Sequence, residues 1–379
     1  MRKILVVFGT RPEAIKMAPI IKKLKADSSK LKAVICVTAQ HREMLDQVLE
    51  IFDIRPDYDL DIMRKNQSLF DVTMNGLKKI EKVLKTENPD IVLAQGDTTT
   101  TFIASLAAYY LQINIAHIEA GLRTKDKYNP FPEEINRRLT DCLADLYFVH
   151  TKQAKGNLLK EGVNGKKIFI TGNTVIDALF MTVEKQRTKR IQNEIEQRFL
   201  GEYGISFDNK KLILVTGHRR ESFGKEFENI CNGLKKIARN NHDVQIVYPV
   251  HLNPNVQKPV KKILTGIDNV HLIEPLDYFS FVWLMNQAYI ILTDSGGIQE
   301  EAPSLGKPVL VMRKTTERTE GIQAGTAKLV GTDSKKIFSE AMNLLHDEKS
   351  YKKMARAINP YGDGKAAERI VSILQEVLT

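Results

Sequence analysis

The chain has 379 residues, of which 42% are hydrophobic and 27% are charged, and its formal net charge at pH 7 is +10. This composition excludes a disordered chain, and the length favours two domains over a single core. The basic residues are spread along amphipathic helices, so nucleic-acid binding is not expected. No apolar run is long enough to span a membrane, and three cysteines without CxxC spacing argue against disulfides and a zinc site. We therefore expect a cytoplasmic protein.

Short runs rich in Val and Ile alternate with helical patterns, which is typical of parallel sheets with crossover helices. We predict two doubly wound, Rossmann-like α/β domains whose strand ends face a central cleft. The first series of predicted strands is 4–8, 33–38, 91–95, 113–118, 146–149 and 168–171, and the second is 212–216, 244–248, 270–273, 289–292 and 309–312. The predicted bounds are 1–172 for the N-terminal domain, 173–360 for the C-terminal domain and 361–379 for a last helix that can cross back to the first domain.

The first predicted strand is followed by a glycine turn and two cations. Gly9 stands at the turn, and Arg11 and Lys16 lie in the loop and the start of the next helix. The segment lacks the GxGxxG pattern of dinucleotide-binding proteins, so no NAD site is expected. The two cations either bind an anionic ligand or are surface residues. Cations near a helix N-terminus oppose the helix dipole unless a negative group offsets them.

Carboxylates follow the next strands. Asp97 and Glu119 each stand at the carboxyl end of an apolar strand, and Glu133 and Glu134 follow a loop with two prolines. Asp97 is also a favourable helix N-cap, and Glu133 and Glu134 are also suited to the first turn of a helix. A carboxylate that ends an apolar strand, such as Glu119, needs a partner or a function. We expect these acids to point into one crevice.

Residues suited to binding phosphate follow two strands of the second series. His218 and Arg219 directly follow its first strand, where a histidine can contact a diphosphate or give it a proton. The run 293–302 leads from a buried strand into a helix through two glycines, whose free amides suit an anion. Glu301, one turn later, can hold the hydroxyls of a ribose. The alternative is an ordinary strand-to-helix turn. Together the motifs predict an enzyme for a nucleotide-diphosphate conjugate.

Six long runs carry a resemblance to a known family. They lie at 8–19, 38–47, 96–101, 119–124, 217–221 (Gly-His-Arg-Arg-Glu) and 294–303 (Asp-Ser-Gly-Gly-Ile-Gln-Glu-Glu-Ala-Pro). In these runs the chain resembles the non-hydrolysing UDP-N-acetylglucosamine 2-epimerases, which have the two-domain architecture of GT-B glycosyltransferases. The resemblance implies reversible conversion of UDP-GlcNAc to UDP-ManNAc, through elimination of UDP to 2-acetamidoglucal and readdition. It further implies a homodimer without metal or cofactor that supplies ManNAc units for cell-surface polysaccharides.

The resemblance also implies roles for individual residues. The positions that match catalytic residues are Asp97, Glu119, Glu133 and His218, of which the histidine serves the leaving diphosphate. The positions that match substrate-binding residues are Arg11, Lys16, Phe281, Ser295, Gly296, Gly297, Glu301 and Arg318. A second, activating UDP-GlcNAc is implied at Gln40, His41, Glu133, Arg219 and His251. Two departures near that second site, Glu43 and Asn66, leave the strength of activation open.

Other functions fit parts of the pattern. A hydrolysing relative would release UDP and free ManNAc, and a nucleotide-sugar sensor would bind without turnover. A GT-B glycosyltransferase would need only one inverting base. The three matched acids favour the reversible epimerase over the sensor and the transferase. The segment Asp59-Leu60-Asp61 is not expected to bind a metal, because it lies in a loop outside the predicted cleft.

Overall fold

The computed structural model describes residues 1–26, 30–39, 42–64, 67–207 and 210–378. They form two packing units, of which the first comprises Met1–Ala178 with Tyr361–Thr379 and the second Leu179–Pro360. The boundary between the units lies inside the helix Thr174–Lys185, whereas the sequence predicted a junction at 172–173, directly after a strand. No helix among these described residues is both long and apolar enough to cross a membrane.

The N-terminal unit is a parallel sheet with helical crossovers. Its elements are β1 (Arg2–Phe8), α1 (Arg11–Ala26), β2 (Leu31–Val37), α2 (Arg42–Ile51), β3 (Tyr58–Asp59), α3 (Leu69–Glu87), β4 (Ile91–Gln95), α4 (Thr99–Tyr110), β5 (Asn114–Ile118), α5 (Glu133–Leu143), β6 (Leu146–Val149), α6 (Lys152–Lys160), β7 (Ile168–Ile170) and α7 (Thr174–Lys185). The strand order is β3-β2-β1-β4-β5-β6-β7. The order reverses between β1 and β4, which is where ligands of such sheets bind.

The C-terminal unit repeats this plan. Its elements are α8 (Lys189–Tyr203), β8 (Lys211–Thr216), α9 (Lys225–Asn240), β9 (Val244–Pro249), α10 (Pro254–Leu264), β10 (Val270–Ile273), α11 (Tyr278–Gln287), β11 (Ile290–Thr293), α12 (Gly296–Glu301), β12 (Val309–Val311), α13 (Thr319–Ala324), β13 (Ala327–Leu329), α14 (Ser334–His346) and α15 (Glu348–Ala355). The parallel strands follow the order β10-β9-β8-β11-β12-β13. The prediction of two doubly wound α/β domains is confirmed.

The central strands are continuous apolar runs because helices cover both faces of each sheet. All five residues of β4 are buried, and the last five residues of β1 are buried as well. Several helices begin at side-chain caps. Ser68 and Asp71 form a reciprocal capping box at the start of α3, and Thr98 caps α4 by accepting a hydrogen bond from the amide of Thr101. Thr98 therefore takes the capping role that the sequence also allowed for Asp97.

The last helix, α16 (Ala366–Leu378), packs against α1 in the N-terminal unit. Its first amides are held by an acid from α7: the buried carboxylate of Asp177 accepts hydrogen bonds from Ala366 N at 3.2 Å and Ala367 N at 2.9 Å. Arg369 adds a bond to the carbonyl oxygen of Thr171 at 2.9 Å. Asp177 thus acts as an N-terminal cap supplied from another helix.

We expect Asp177→Ala to lower the free energy of unfolding by about 1–2 kcal/mol, since two buried amides lose their acceptor. Asp177→Asn keeps one carbonyl oxygen for those amides and should cost less. Urea unfolding gives the free energies, and hydrogen exchange should quicken in 366–378 for the alanine variant. Equal losses in both variants, with unchanged exchange in α16, would contradict the capping role.

Candidate active site

The loops after β1, β4 and β5 lie side by side, because these strands are neighbours in the sheet and run parallel. Lys16 from α1 and Glu119 after β5 meet there, with Nζ and Oε2 2.5 Å apart. The amide of Gln95 donates to the same Oε2 at 3.2 Å. Glu119 has φ +67°, a conformation that non-glycine residues seldom adopt. The structure therefore brings two of the predicted residues together, at a constrained strand end.

Asp97, after β4, is held by two residues of α5. Its carboxylate pairs with Arg137 Nη2, and its carbonyl oxygen accepts a hydrogen bond from Asn136 Nδ2 at 3.0 Å. Arg137 also lies 3.2 Å from the buried carboxylate of Glu134. The arginine thus connects the β4 loop to the first turn of α5.

Glu133 and Glu134 both occupy the first turn of α5, but their surroundings differ. Glu134 is fully buried and accepts a hydrogen bond from the amide of Thr124 at 3.1 Å. Glu133 is half-buried, and its side chain makes no hydrogen bond or ion pair with another residue in the described part of the chain. Adjacent helical residues project about 100° apart, so one acid supports the fold while its neighbour is available to a ligand.

A buried charged network beneath these loops was not predicted. The ring of His117 on β5 lies between two oxygens, with Nδ1 2.6 Å from Asp141 Oδ1 and Nε2 2.7 Å from the carbonyl oxygen of Gly96. Burial disfavours the charged acid, but His117 and Arg123 hold the pKa of Asp141 below its usual value. The network fixes the residue that precedes Asp97.

Glu13 is a second unpredicted contributor. Its buried carboxylate accepts hydrogen bonds from the amides of Gly9 at 2.9 Å and Thr10 at 2.7 Å through Oε2. Oε1 accepts from the hydroxyls of Thr98 at 2.5 Å and Thr101 at 3.0 Å. Burial raises the pKa of Glu13, whereas these hydrogen bonds oppose the rise. The acid joins the turn before Arg11 to the start of α4. The spacing Thr-x-x-Glu is a capping-box signal that the sequence already carried.

In the C-terminal unit the loops after β8 and β11 are neighbours, because these two strands pair. Asp294 is buried after β11, and its Oδ2 accepts hydrogen bonds from the amides of His218 at 2.7 Å and Arg219 at 2.8 Å. The ring of His218 stacks on that of His251, with centroids 5.2 Å apart and planes 13° apart. Burial lowers the pKa of His218, with His251 and Arg219 acting in the same direction and Asp294 opposing them.

The glycine turn lies against a charged cluster. A Cβ atom on Gly296 would come within 3.2 Å of Glu317 Oε1 and 3.4 Å of Arg318 Cζ, so a larger residue would crowd both side chains. Ser295 precedes α12 without capping it through its side chain. Gly296 therefore lies beside Glu317 and Arg318, whereas the amide of Ser295 donates to Thr293 Oγ1 at 2.9 Å.

Glu317 is surrounded by guanidinium groups. Its carboxylate lies 2.7 Å from Arg313, 3.4 Å from Arg318 and 3.7 Å from Arg219. Although burial opposes ionisation, Arg318 and Arg313 lower the pKa of Glu317 to about 2. Arg318 also pairs with the buried Glu300 at 2.6 Å. This alternation of charges places Arg219 and Arg318, two of the predicted ligand-binding arginines, beside one carboxylate, and no periodic pattern in the sequence indicated it.

The remaining predicted residues fall as follows. Glu301 lies at the end of α12, with Oε2 3.5 Å from the hydroxyl of Tyr278 on α11. Phe281 follows Tyr278 by three positions on α11 and is half-buried, so both project from one side of the helix. Arg11 begins α1 and is also half-buried. The predicted second-site residues Gln40 and His41 lie outside the described residues, as does Asn66.

Known proteins resemble the chain over nearly its full length. A family model described as UDP-N-acetylglucosamine 2-epimerase matches residues 22–375. The UDP-N-acetylglucosamine 2-epimerase of Salmonella typhimurium is 57% identical over 373 residues, which is 98% of each chain. The protein of that name from Escherichia coli K12 is 56% identical over 373 residues, again 98% of each chain.

Solved structures agree. The UDP-GlcNAc 2-epimerase of Neisseria meningitidis, solved bound to UDP-GlcNAc, is 52% identical with a TM-score of 0.91, and the match covers 99% of this chain and 100% of that one. The Methanocaldococcus jannaschii UDP-GlcNAc 2-epimerase, in complex with UDP-GlcNAc and UDP, is 35% identical with a TM-score of 0.80 over 99% of each chain. These matches confirm the resemblance carried by the six sequence runs. The chain belongs to the UDP-N-acetylglucosamine 2-epimerase family.

Proposed function

We propose that the protein interconverts UDP-GlcNAc and UDP-ManNAc by inverting C2 of the sugar, without releasing free ManNAc. The main support is its 52% identity, over nearly the whole chain, to a UDP-GlcNAc 2-epimerase bound to UDP-GlcNAc. The residue types at the strand ends fit that substrate: carboxylates in one unit, and a histidine, arginines and a glycine turn in the other.

The chemistry explains the need for several acids. The hydrogen on C2 is not adjacent to a carbonyl group, so its direct removal is unfavourable. In the proposed route a carboxylate takes this proton while the C1–O bond to the diphosphate breaks, and UDP leaves with the bonding electrons. The product is 2-acetamidoglucal. UDP then adds back at C1, and a proton reaches the opposite face of C2. Groups that move protons are therefore needed on both faces of the ring.

The N-terminal unit would supply these proton transfers through Asp97, Glu119 and Glu133. Two of the acids have a cation beside them: Arg137 pairs with Asp97, and Lys16 pairs with Glu119. Each cation offsets the charge of its acid, so a substrate that carries a diphosphate meets less repulsion. The same ion pairs fix the carboxylates in position, as proton transfer requires.

The C-terminal unit would hold the leaving nucleotide. Arg318 and the glycine turn suit the diphosphate, Glu301 the ribose and Phe281 the uracil ring. As the C1–O bond breaks, negative charge grows on the β-phosphate oxygen, and a proton or hydrogen bond from His218 Nε2 stabilises it. The same histidine would recover the proton when UDP adds back.

Isotope incorporation tests the route. In deuterated water, turnover of UDP-GlcNAc should place deuterium at C2 of both nucleotide sugars, because the acid that returns a proton to C2 first exchanges its own proton with solvent. Mass spectrometry and proton NMR of the products measure this. Conversion without label at C2 would rule out elimination and readdition, and free ManNAc as the main product would indicate a hydrolysing enzyme.

A matched pair of variants tests the assignment of Glu133. We expect Glu133→Gln to lower kcat by about 10²- to 10⁴-fold, the usual range for a lost acid–base group, with a free energy of unfolding within about 0.5 kcal/mol of wild type. Glu134→Gln should instead lose roughly 3 kcal/mol of stability, since Glu134 is buried against Arg137. Coupled product assays and urea unfolding provide the two readouts. Full turnover by the Glu133 variant would refute its role.

We also propose that a second UDP-GlcNAc binds near Arg219 and His251 and activates the enzyme. Both residues lie next to groups assigned to the reaction: His251 stacks on His218, and Arg219 lies 3.7 Å from Glu317, which also contacts Arg318 at 3.4 Å. A ligand on these side chains would therefore change the position or charge of His218 directly. Such contact is a physical basis for coupling between two sites.

Activation should appear in the reverse direction. We expect the initial rate of UDP-ManNAc conversion to rise by roughly tenfold when a small amount of UDP-GlcNAc is added, which corresponds to an ordinary coupling free energy. Alanine at His251 should reduce this stimulation. Stopped assays with separated nucleotide sugars measure both. A rate that is independent of added UDP-GlcNAc would exclude the activator.

A further inference from the structure

Asp294, directly after β11, is a buried acid to which the proposed reaction assigns no role. It is 0% exposed and lies against the turn that carries His218. We infer that Asp294 is the positioning residue for His218: it fixes the backbone of the turn and orients the ring with Nδ1 toward its carboxylate, which leaves Nε2 for the leaving group. This inference rests on the proposed function for the identity of that leaving group.

The backbone of the turn is fixed from two sides. Asp294 Oδ2 accepts hydrogen bonds from the amides of His218 at 2.7 Å and Arg219 at 2.8 Å. From β9, the hydroxyl of Tyr248 donates to the carbonyl oxygen of Gly217 at 2.8 Å. The turn after β8 therefore has little freedom, and the histidine leaves the backbone in a set direction.

The second oxygen of Asp294 faces the ring. Oδ1 is buried and has no hydrogen-bond partner among the described residues, and His218 Nδ1 lies 3.5 Å from it. At this separation the two groups do not form a good hydrogen bond, and the contact is ionic only when the ring is protonated. Catalytic hydrogen bonds commonly shorten when substrate binds, and a buried oxygen without a donor is costly. A small rotation of the ring satisfies both groups and directs Nε2 outward.

The charges around His218 give Asp294 an electrostatic role as well. The groups that face the ring are Asp294, the stacked imidazole of His251 and the guanidinium of Arg219, while the phenol of Tyr248 lies behind the turn. Burial lowers the pKa of His218, as do His251 and Arg219, and of these groups Asp294 alone raises it. The acid thus helps the ring to carry the proton that a departing diphosphate needs.

The substitution Asp294→Asn distinguishes an effect of Asp294 on the His218 ring from support of the turn's backbone alone. In Asp294→Asn the amide oxygen can still accept both main-chain hydrogen bonds, but the charge is lost and an NH₂ group can face Nδ1. A histidine beside such an amide favours the wrong tautomer. Asp333 offers a matched control, because one of its carboxylate oxygens accepts the amides of Lys335 at 3.0 Å and Lys336 at 2.8 Å at the start of α14.

The experiment compares wild type, Asp294→Asn and Asp333→Asn in the full chain. NMR titration of the His218 ring, assigned through its loss in His218→Gln, gives the pKa. We expect Asp294→Asn to lower it by about one unit, as removal of a nearby opposite charge does. It should also lower kcat at neutral pH by roughly 10²-fold or more, with a smaller change in KM and a shifted pH profile. Asp333→Asn should leave the pKa, kcat and pH profile unchanged.

Each possible result either supports or contradicts the inference that Asp294 positions His218. If Asp294→Asn lowers stability but leaves the pKa of His218 and the pH profile as in Asp333→Asn, Asp294 only braces the turn and the inference is wrong. If the variant does not fold, nitrogen-15 shifts of wild type still test the orientation, since neutral His218 should carry its proton on Nδ1 and the opposite tautomer overturns the inference. A wild type with the expected pKa and tautomer but no epimerisation would refute the proposed function and leave the Asp294–His218 contact established.

Discussion

Buried carboxylates that accept main-chain amides hold the strand-end loops of both sheets. Glu13 binds two amides of the turn after β1, and Asp294 binds two amides of the turn after β8. Asp141 accepts the amide of Gly121 at 3.2 Å in the loop after β5. Loops of this kind have few ladder hydrogen bonds of their own, so a charged acceptor in a buried position fixes them strongly. Side chains proposed to bind a ligand can therefore lie on loops and still keep fixed positions.

The acids that hold the loops are different residues from the acids proposed to transfer protons. The supporting acids are buried and accept main-chain amides, whereas Glu133 is half-buried beside its buried neighbour Glu134. Lys16 fixes Glu119 and, in the proposed reaction, adds positive charge near the diphosphate sugar. The proposed substrate would therefore meet side chains whose positions were set during folding, and little binding energy would be lost in ordering them.

The sequence predicted the features that depend on local pattern. Long apolar runs predicted the central strands of both sheets. Polar residues at the carboxyl ends of these strands predicted the candidate site, because parallel strands share one ligand-binding edge. The short edge strands β3 and β13 were missed, since each contains a charged residue, Asp59 or Lys328, and forms no continuous apolar run. His117 and Glu317 were missed because their partners, Asp141 and Arg313, are revealed only by packing. Glu13 could have been found from its Thr-x-x-Glu spacing.

Glu317 shows why a site proposed to bind an anion can contain an acid. Three guanidinium groups gathered on one surface repel one another unless a countercharge lies between them. The carboxylate at their centre supplies it, and the low pKa of Glu317, about 2, keeps that charge at any physiological pH. Arg313 is the most buried of the three and pairs with Glu221 as well, so it anchors the cluster. Arg318 also pairs with the buried Glu300 at 2.6 Å, whereas Arg219, 3.7 Å from Glu317, is the most exposed of the three and has the most freedom to turn toward the diphosphate of the proposed substrate, which carries more charge than a single carboxylate.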